Sequence, residues 1–188
     1  MMRPYLDALS KGEIVAMPTE TVYGLAGDAT QTSAVEKIYR LKGRPSFNPL
    51  IVHVSDIAMA ASYAVFSDTA FDVARYFWIE NPLPLTLVLP LKKDTSLSPL
   101  VTAGLTTVAI RRPSHPLALS LIEQHGKPLA APSANLSNTL SPTHPQMIRK
   151  QFPDLLILDG GSCAIGVEST ILDVQSFEVL RPGGCAQE

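Results

Sequence analysis

Apolar runs of strand length recur along the chain at 13–17, 49–54, 84–89, 106–111, 128–132, 155–158, 169–174 and 177–181. Several are rich in Val, Ile and Leu and apolar at both alternations, as expected of strands covered on both faces. Run 106–111 is mixed, and its period-2 face carries Thr107 and Arg111 together. Between the runs lie helix signals. Ser33–Glu36 has capping-box spacing and opens a helix with Val35, Ile38 and Leu41 inward, stopped by Gly43 and Pro45. Residues 56–63 and 68–78 read as two helices over the sheet, Pro116–His125 as another ended by Gly126, and Thr143–Gln146 as the cap of a last helix before Pro153. Strands and helices interleave, but 84–111 and 155–181 place strands in succession. The pattern predicts an α/β fold on an open, twisted, mixed parallel and antiparallel sheet.

Length and composition narrow the class. At 188 residues, 46% hydrophobic and 17% charged, the chain reads as one globular domain spanning 1–188 with a substantial core. No apolar stretch has the length of a signal peptide or a membrane span, so the expectation is a cytoplasmic protein without membrane contact. Cys163 and Cys185 share no metal-ligand spacing, which fits a reducing compartment. A net charge of −2 argues against a general polyanion binder while leaving room for a local basic cleft.

The common nucleotide and hydrolase fingerprints are absent: no Walker loop, no GxGxxG, no HExxH, no GxSxG. Polar residues gather instead at strand ends. The first strand breaks at Pro18 into Thr19, Glu20, Thr21 and Tyr23, then Gly24 and Gly27. Lys42, Arg44 and Asn48 lie where the helix opened by Ser33 stops, His53 ends the next strand, and Arg111 and Arg112 end another. Ser133, Asn135, Ser137 and Ser141 follow the run at 128–132, and Glu168, Ser169 and Arg181 close the series. Arg44, Arg112 and Arg181 each precede proline, which biases the backbone to an extended form. Guanidinium groups so placed suit phosphate or carboxylate, and neighbouring hydroxyls and amides suit a ribose or triphosphate. The set describes a cleft for a small anion, a nucleotide held without a P-loop. Each element also has a plainer reading. Thr19–Thr21 would serve as a turn or cap, His53 as a core histidine, Pro132–Asn135 as an Asx turn, and Lys37 and Arg40 as the answer to a helix dipole.

PTETVYGL, KGRPxxNPLIVHV, VAIRRP, APSANLS, GVESTI and LRPG occur in this order between Glu13 and Gly184. In these motifs the chain resembles the YrdC/TsaC family of L-threonylcarbamoyladenylate synthases, in its short single-domain form. The resemblance implies a concave substrate face and a reaction joining L-threonine, bicarbonate (or CO2) and ATP into threonylcarbamoyl-AMP and pyrophosphate. The product feeds threonylcarbamoyladenosine formation in tRNA through a separate transferase complex. By the same resemblance Thr21, His53, Arg111, Ala131 and Ser169 would hold threonine. Arg44, Asn48, Thr107, Ser133, Asn135, Ser141 and Arg181 would hold ATP, and Lys42, Arg44 and Arg181 would stabilise developing charge. Mg2+ would arrive with the nucleotide, with no metal held by protein side chains alone. Leu83 stands where relatives carry the glycine of Pro-Gly-Pro, and Ala26-Gly27 departs from their Gly-Leu-Gly. Two other readings stand beside this one: an RNA- or tRNA-binding module without adenylation activity, and a carbamoyl-transfer domain like that of hydrogenase-maturation proteins.

Overall fold

A computed structural model describes residues 2–185. Nine strands form one sheet: β1 (Val15–Met17), β2 (Gly24–Asp28), β3 (Ile51–His53), β4 (Leu85–Pro90), β5 (Thr107–Arg111), β6 (Leu129–Ala130), β7 (Leu156–Ile157), β8 (Thr170–Asp173) and β9 (Glu178–Arg181). Their spatial order is β7-β1-β2-β6-β3-β5-β4-β8-β9. The β1–β7, β3–β5 and β4–β8 pairs are parallel and the others antiparallel, the mixed sheet that the run pattern predicts.

The period-2 alternation divides the residues between two faces. Ala16, Leu25, Val52, Val108, Ile110, Leu87 and Leu89 belong to the larger core. Helix α2 (Thr32–Lys42) contributes Ala34, Val35 and Ile38 to it, α3 (Ile57–Tyr63) Ala60 and α4 (Asp68–Ala74) Ala70 and Ala74. On the opposite face Val15, Met17, Ala26, Leu129 and Ala131 pack with Leu9 of α1 (Arg3–Ser10) and Ala118, Leu121 and Ile122 of α6 (Pro116–His125). These two helices roof the β1, β2 and β6 side of that face. The β3, β5, β4, β8 and β9 side has no helix over it in either core, and the cleft lies there.

Several local expectations need correction. Strand β2 is buried at all five positions although its sequence, Gly-Leu-Ala-Gly-Asp, lacks β-branched residues. Its glycines serve close packing: a Cβ on Gly24 would stand 3.1 Å from Ala131 Cβ, and one on Gly27 2.8 Å from Ile14 Cδ1. Helix α2 begins at Thr32 with Gln31 as N-cap and no side-chain cap, so the Ser33–Glu36 capping box does not form. The preceding turn is tied down by the buried Asp28 carboxylate, which accepts from Thr30 N and Oγ1 and from Gln31 Nε2. Lys37 does not answer that helix's dipole; its Nζ donates to Gly12 O and Glu13 Oε1, at 2.9 and 2.8 Å. The helix expected over 68–78 is α4 followed by a π-helical turn, Arg75–Glu80, that buries Trp78. Helix α5 (Pro99–Thr102) is a further short turn between β4 and β5. Helix α7 (Pro145–Gln151) is capped by His144 rather than Thr143. Leu83 is 41% exposed and is not among the residues lining the cleft. No helix among the described residues is long and apolar enough to cross a membrane.

Candidate functional site

The opening turn is organised by Thr19. Its hydroxyl accepts from the Thr21 and Val22 amides, each at 3.2 Å, and donates to Val22 O at 2.6 Å. A hydroxyl has one proton, so the 2.8 Å contact between Thr19 and Thr21 is donated by Thr21. Thr21 Oγ1 in turn accepts from Arg111 Nη1 at 2.9 Å. The turn is clasped from outside by Gly166 N and Ile165 N, which donate to Thr21 O and Glu20 O.

Strand register brings the distant residues abreast. His53 lies opposite Arg111, Arg111 opposite Thr86, Thr86 opposite Ile171, and Ile171 opposite Arg181. Directly opposed residues share a face, so one row across five strands presents His53, Arg111, Thr86 and Arg181 to the unroofed side. Arg111 and His53 are 4% and 3% exposed. The buried Arg111 Nε and His53 Nδ1 have no hydrogen-bond partner among the described residues. Burial, reinforced by the Arg111 charge, pushes His53 down to about 3, so its imidazole is neutral near pH 7.

A recess joins these parts. Its lining includes Thr21, His53, Arg111, Ala131 and Ser169, the expected threonine set, together with Arg44, Ser133 and Arg181. A second, larger hollow is lined by Asn48, Thr107, Ala109 and Leu180 and shares Arg44, Pro49, Ile51 and Arg181 with the first. Arg44 is braced by its own loop, donating to Asn48 O, Asn48 Oδ1 and Pro49 O. Arg181 donates to Ser169 O and Oγ and pairs with Glu168. Glu168 also accepts from Ser141 Oγ at 3.1 Å.

Three expected residues stand behind the lining. Lys42, 3% exposed, donates to Ser133 O at 2.6 Å and Asn135 O at 2.7 Å. It therefore clamps the 133–135 loop from behind, and burial pulls its pKa down to about 8. Asn135 directs its amide nitrogen to Leu136 O and Thr139 O, inside the same loop. Ser141 reaches the site only through Glu168. Conversely, Glu20, Thr86 and Glu168 hold site residues and were not among the expected ones. Glu20 was visible as part of the polar turn and Glu168 as part of the polar series at the strand ends, whereas Thr86 carries no local signal. Among the described residues no cluster of His, Cys, Asp or Glu could hold a metal ion.

The chain is similar to known proteins over nearly its whole length. The family model Sua5_yciO_yrdC, described as "Telomere recombination", matches residues 7–183. A Bacillus subtilis protein named threonylcarbamoyl-AMP synthase is 51% identical over 96% of this chain and 52% of its own length. A Photobacterium profundum protein of the same name is 35% identical, over 97% of this chain and 98% of its own. The crystal structure of Pyrococcus abyssi Sua5 complexed with L-threonine superposes with a TM-score of 0.91 at 42% identity, covering 97% of this chain and 54% of that one. The chain thus spans about half the length of the B. subtilis and P. abyssi relatives. The family model's match along residues 7–183 makes the chain a member of the Sua5/YciO/YrdC family.

Proposed function

We propose that this chain forms L-threonylcarbamoyladenylate and pyrophosphate from L-threonine, bicarbonate or CO2, and ATP. The observation that carries the reading is the shared wall: a recess lined by Thr21, His53, Arg111 and Ser169 has Arg44, Pro49, Ile51 and Arg181 in common with a neighbouring groove. The recess fits an amino acid, with Arg111 taking its carboxylate and Thr21 and Ser169 offering hydroxyls to its own. A site built to hydrogen-bond that hydroxyl rejects analogues lacking it. The groove fits the nucleotide, with Asn48 and Thr107 on its wall, and the two arginines stand where the reacting groups meet. A P. abyssi relative was crystallised with L-threonine, which supports the assignment.

The chemistry asks mainly for alignment. The threonine amine adds to CO2, forming an N–C bond and releasing a proton to solvent. A carbamate oxygen then attacks the α-phosphorus; the new O–P bond forms as the bond to the bridging oxygen breaks, and pyrophosphate leaves. Arg44 and Arg181 offset the developing charge, and no general base is required of the protein. Lys42, Asn135 and Ser141 act by fixing the loops that carry Ser133 and Glu168. Mg2+ belongs to this reading as the nucleotide's companion. A transferase that passes the threonylcarbamoyl group to tRNA, with AMP as the leaving group, would consume the product, in the cytoplasm. Incubating the chain with MgATP, threonine and bicarbonate should give the adenylate by mass spectrometry, and pyrophosphate in equal amount. Undiminished product after rigorous removal of bicarbonate and CO2 would refute the mechanism.

The RNA-binding alternative is not favoured, because the cations it would use are engaged within the chain. Lys42 is clamped under its loop, Arg111 faces Glu20, Arg181 faces Glu168, and Arg112 donates to Ser55 O and Trp78 O.

A further inference from the structure

Glu20 is 8% exposed, a rare position for a carboxylate without partners. Its two oxygens are divided between elements: Oε1 accepts from Arg111 Nη2, and Oε2 accepts from the Ser114 amide at 3.1 Å. Thr21 Oγ1 takes Arg111 Nη1 from the adjacent position. One acidic side chain therefore ties together the opening turn, the end of β5 and the entry to α6. A guanidinium has five N–H groups, and these contacts occupy one on each terminal nitrogen. Glu20 is absent from the cavity lining, whereas Arg111 and Thr21 are part of it.

We propose that Glu20 is a positioning residue for amino-acid binding, which fixes the Arg111 guanidinium against Thr21 so that its remaining N–H groups await the substrate carboxylate. The proposal rests on reading the recess as an amino-acid site. Two effects of Glu20 oppose one another. Its negative charge close to Arg111 weakens the attraction for an incoming carboxylate, by simple Coulomb reasoning. Its geometry removes most rotamers of a long cationic side chain before substrate arrives, so less ordering is left to binding. If charge alone mattered, removing Glu20 would tighten threonine binding. If position matters more, removal loosens it. Burial favours the second outcome, since a buried arginine deprived of its anchor turns toward water or another acceptor.

The opposite signs make the test decisive. Threonine affinity is measured by calorimetry on the intact chain and on Glu20→Ala and Glu20→Gln, with steady-state KM for threonine and for ATP alongside. Glu20→Ala should weaken threonine binding about tenfold or more, with the KM for ATP within about twofold of the parent. Glu20→Gln keeps an oxygen for Arg111 but sets an amide against the Ser114 N–H, so it should fall between the parent and Glu20→Ala. Unchanged or tighter threonine binding in Glu20→Ala overturns the proposal, as does a lower kcat with both KM values unmoved, the mark of a merely smaller folded fraction. Should Glu20→Ala fail to fold, Glu20→Gln decides alone, with equal or tighter binding counting against the idea. If the parent chain binds threonine without making adenylate, the proposed reaction fails while Glu20 is still judged by calorimetry. If it binds no threonine, both fall.

Discussion

At the scale of single residues, His53 shows how burial sets both function and stability. With its pKa down at about 3, it stays neutral in the folded protein while the unfolded chain takes up a proton near the ordinary value of 6.5. As pH falls from 6.5, the unfolded state binds more protons than the folded one, so stability drops, by at most about 1.4 kcal/mol per pH unit. Urea unfolding between pH 6.5 and 4.5 should therefore show a shallower acid loss in His53→Gln than in the parent, and parallel slopes would contradict the assignment. Asp28 does not blur this window. Burial would raise its pKa, but hydrogen bonds from His125, Thr30 and Lys127 overcome that and hold it well below the usual carboxylate range. Its contribution is lost only below the ordinary carboxylate pKa of about 4. Burial depresses His115 too, in parent and variant alike, so the difference between them reports His53. The sequence exposed Thr21, His53 and Arg111 because each sits at a polar break in an apolar run. It hid the partnership of Glu20 with Arg111, and of Thr86 with Ser169, because those contacts span 91 and 83 residues and leave no periodic trace.

At the scale of elements, legibility followed composition. Runs rich in β-branched residues became strands within a residue or two of their expected bounds, and Gly126 ended α6 in the left-handed conformation. Strand β2 escaped notice because its glycines resemble loop, although they exist to let neighbours approach. Two glycines separate flexible from rigid neighbours. A Cβ on Gly27 would meet Ile14 Cδ1 at 2.8 Å, a side-chain end that can rotate away. A Cβ on Gly183 would lie 2.4 Å from Glu168 O and Ser169 C, which are backbone atoms. Chemical denaturation should accordingly show Gly183→Ala losing roughly 1–3 kcal/mol and Gly27→Ala clearly less. A larger loss at Gly27 would mean that its surroundings are the stiffer ones. The turn carrying Gly183 follows Arg181, so that variant should also weaken nucleotide binding.

At the scale of the whole molecule, charge is used locally. Basic groups around the cleft are matched by Glu20, Glu168 and loop carbonyls. Retention of a tRNA by the free chain should change less than about tenfold between 50 and 200 mM salt, against the 10³–10⁵ expected of six to ten phosphate contacts. A steep salt dependence would restore the nucleic-acid reading. The general architecture was legible because alternation along a strand reports how each face is covered. The cleft was not, because strand order and the partial roof of α1 and α6 arise from pairing between remote segments.

The two-sided sheet has one more consequence. In β5, Val108 and Ile110 face the packed interior while Thr107, Ala109 and Arg111 face the open side. Folding and chemistry are thereby written on interleaved letters of the same short word. A lineage could respell the odd letters to welcome another guest while the even ones go on holding the house together.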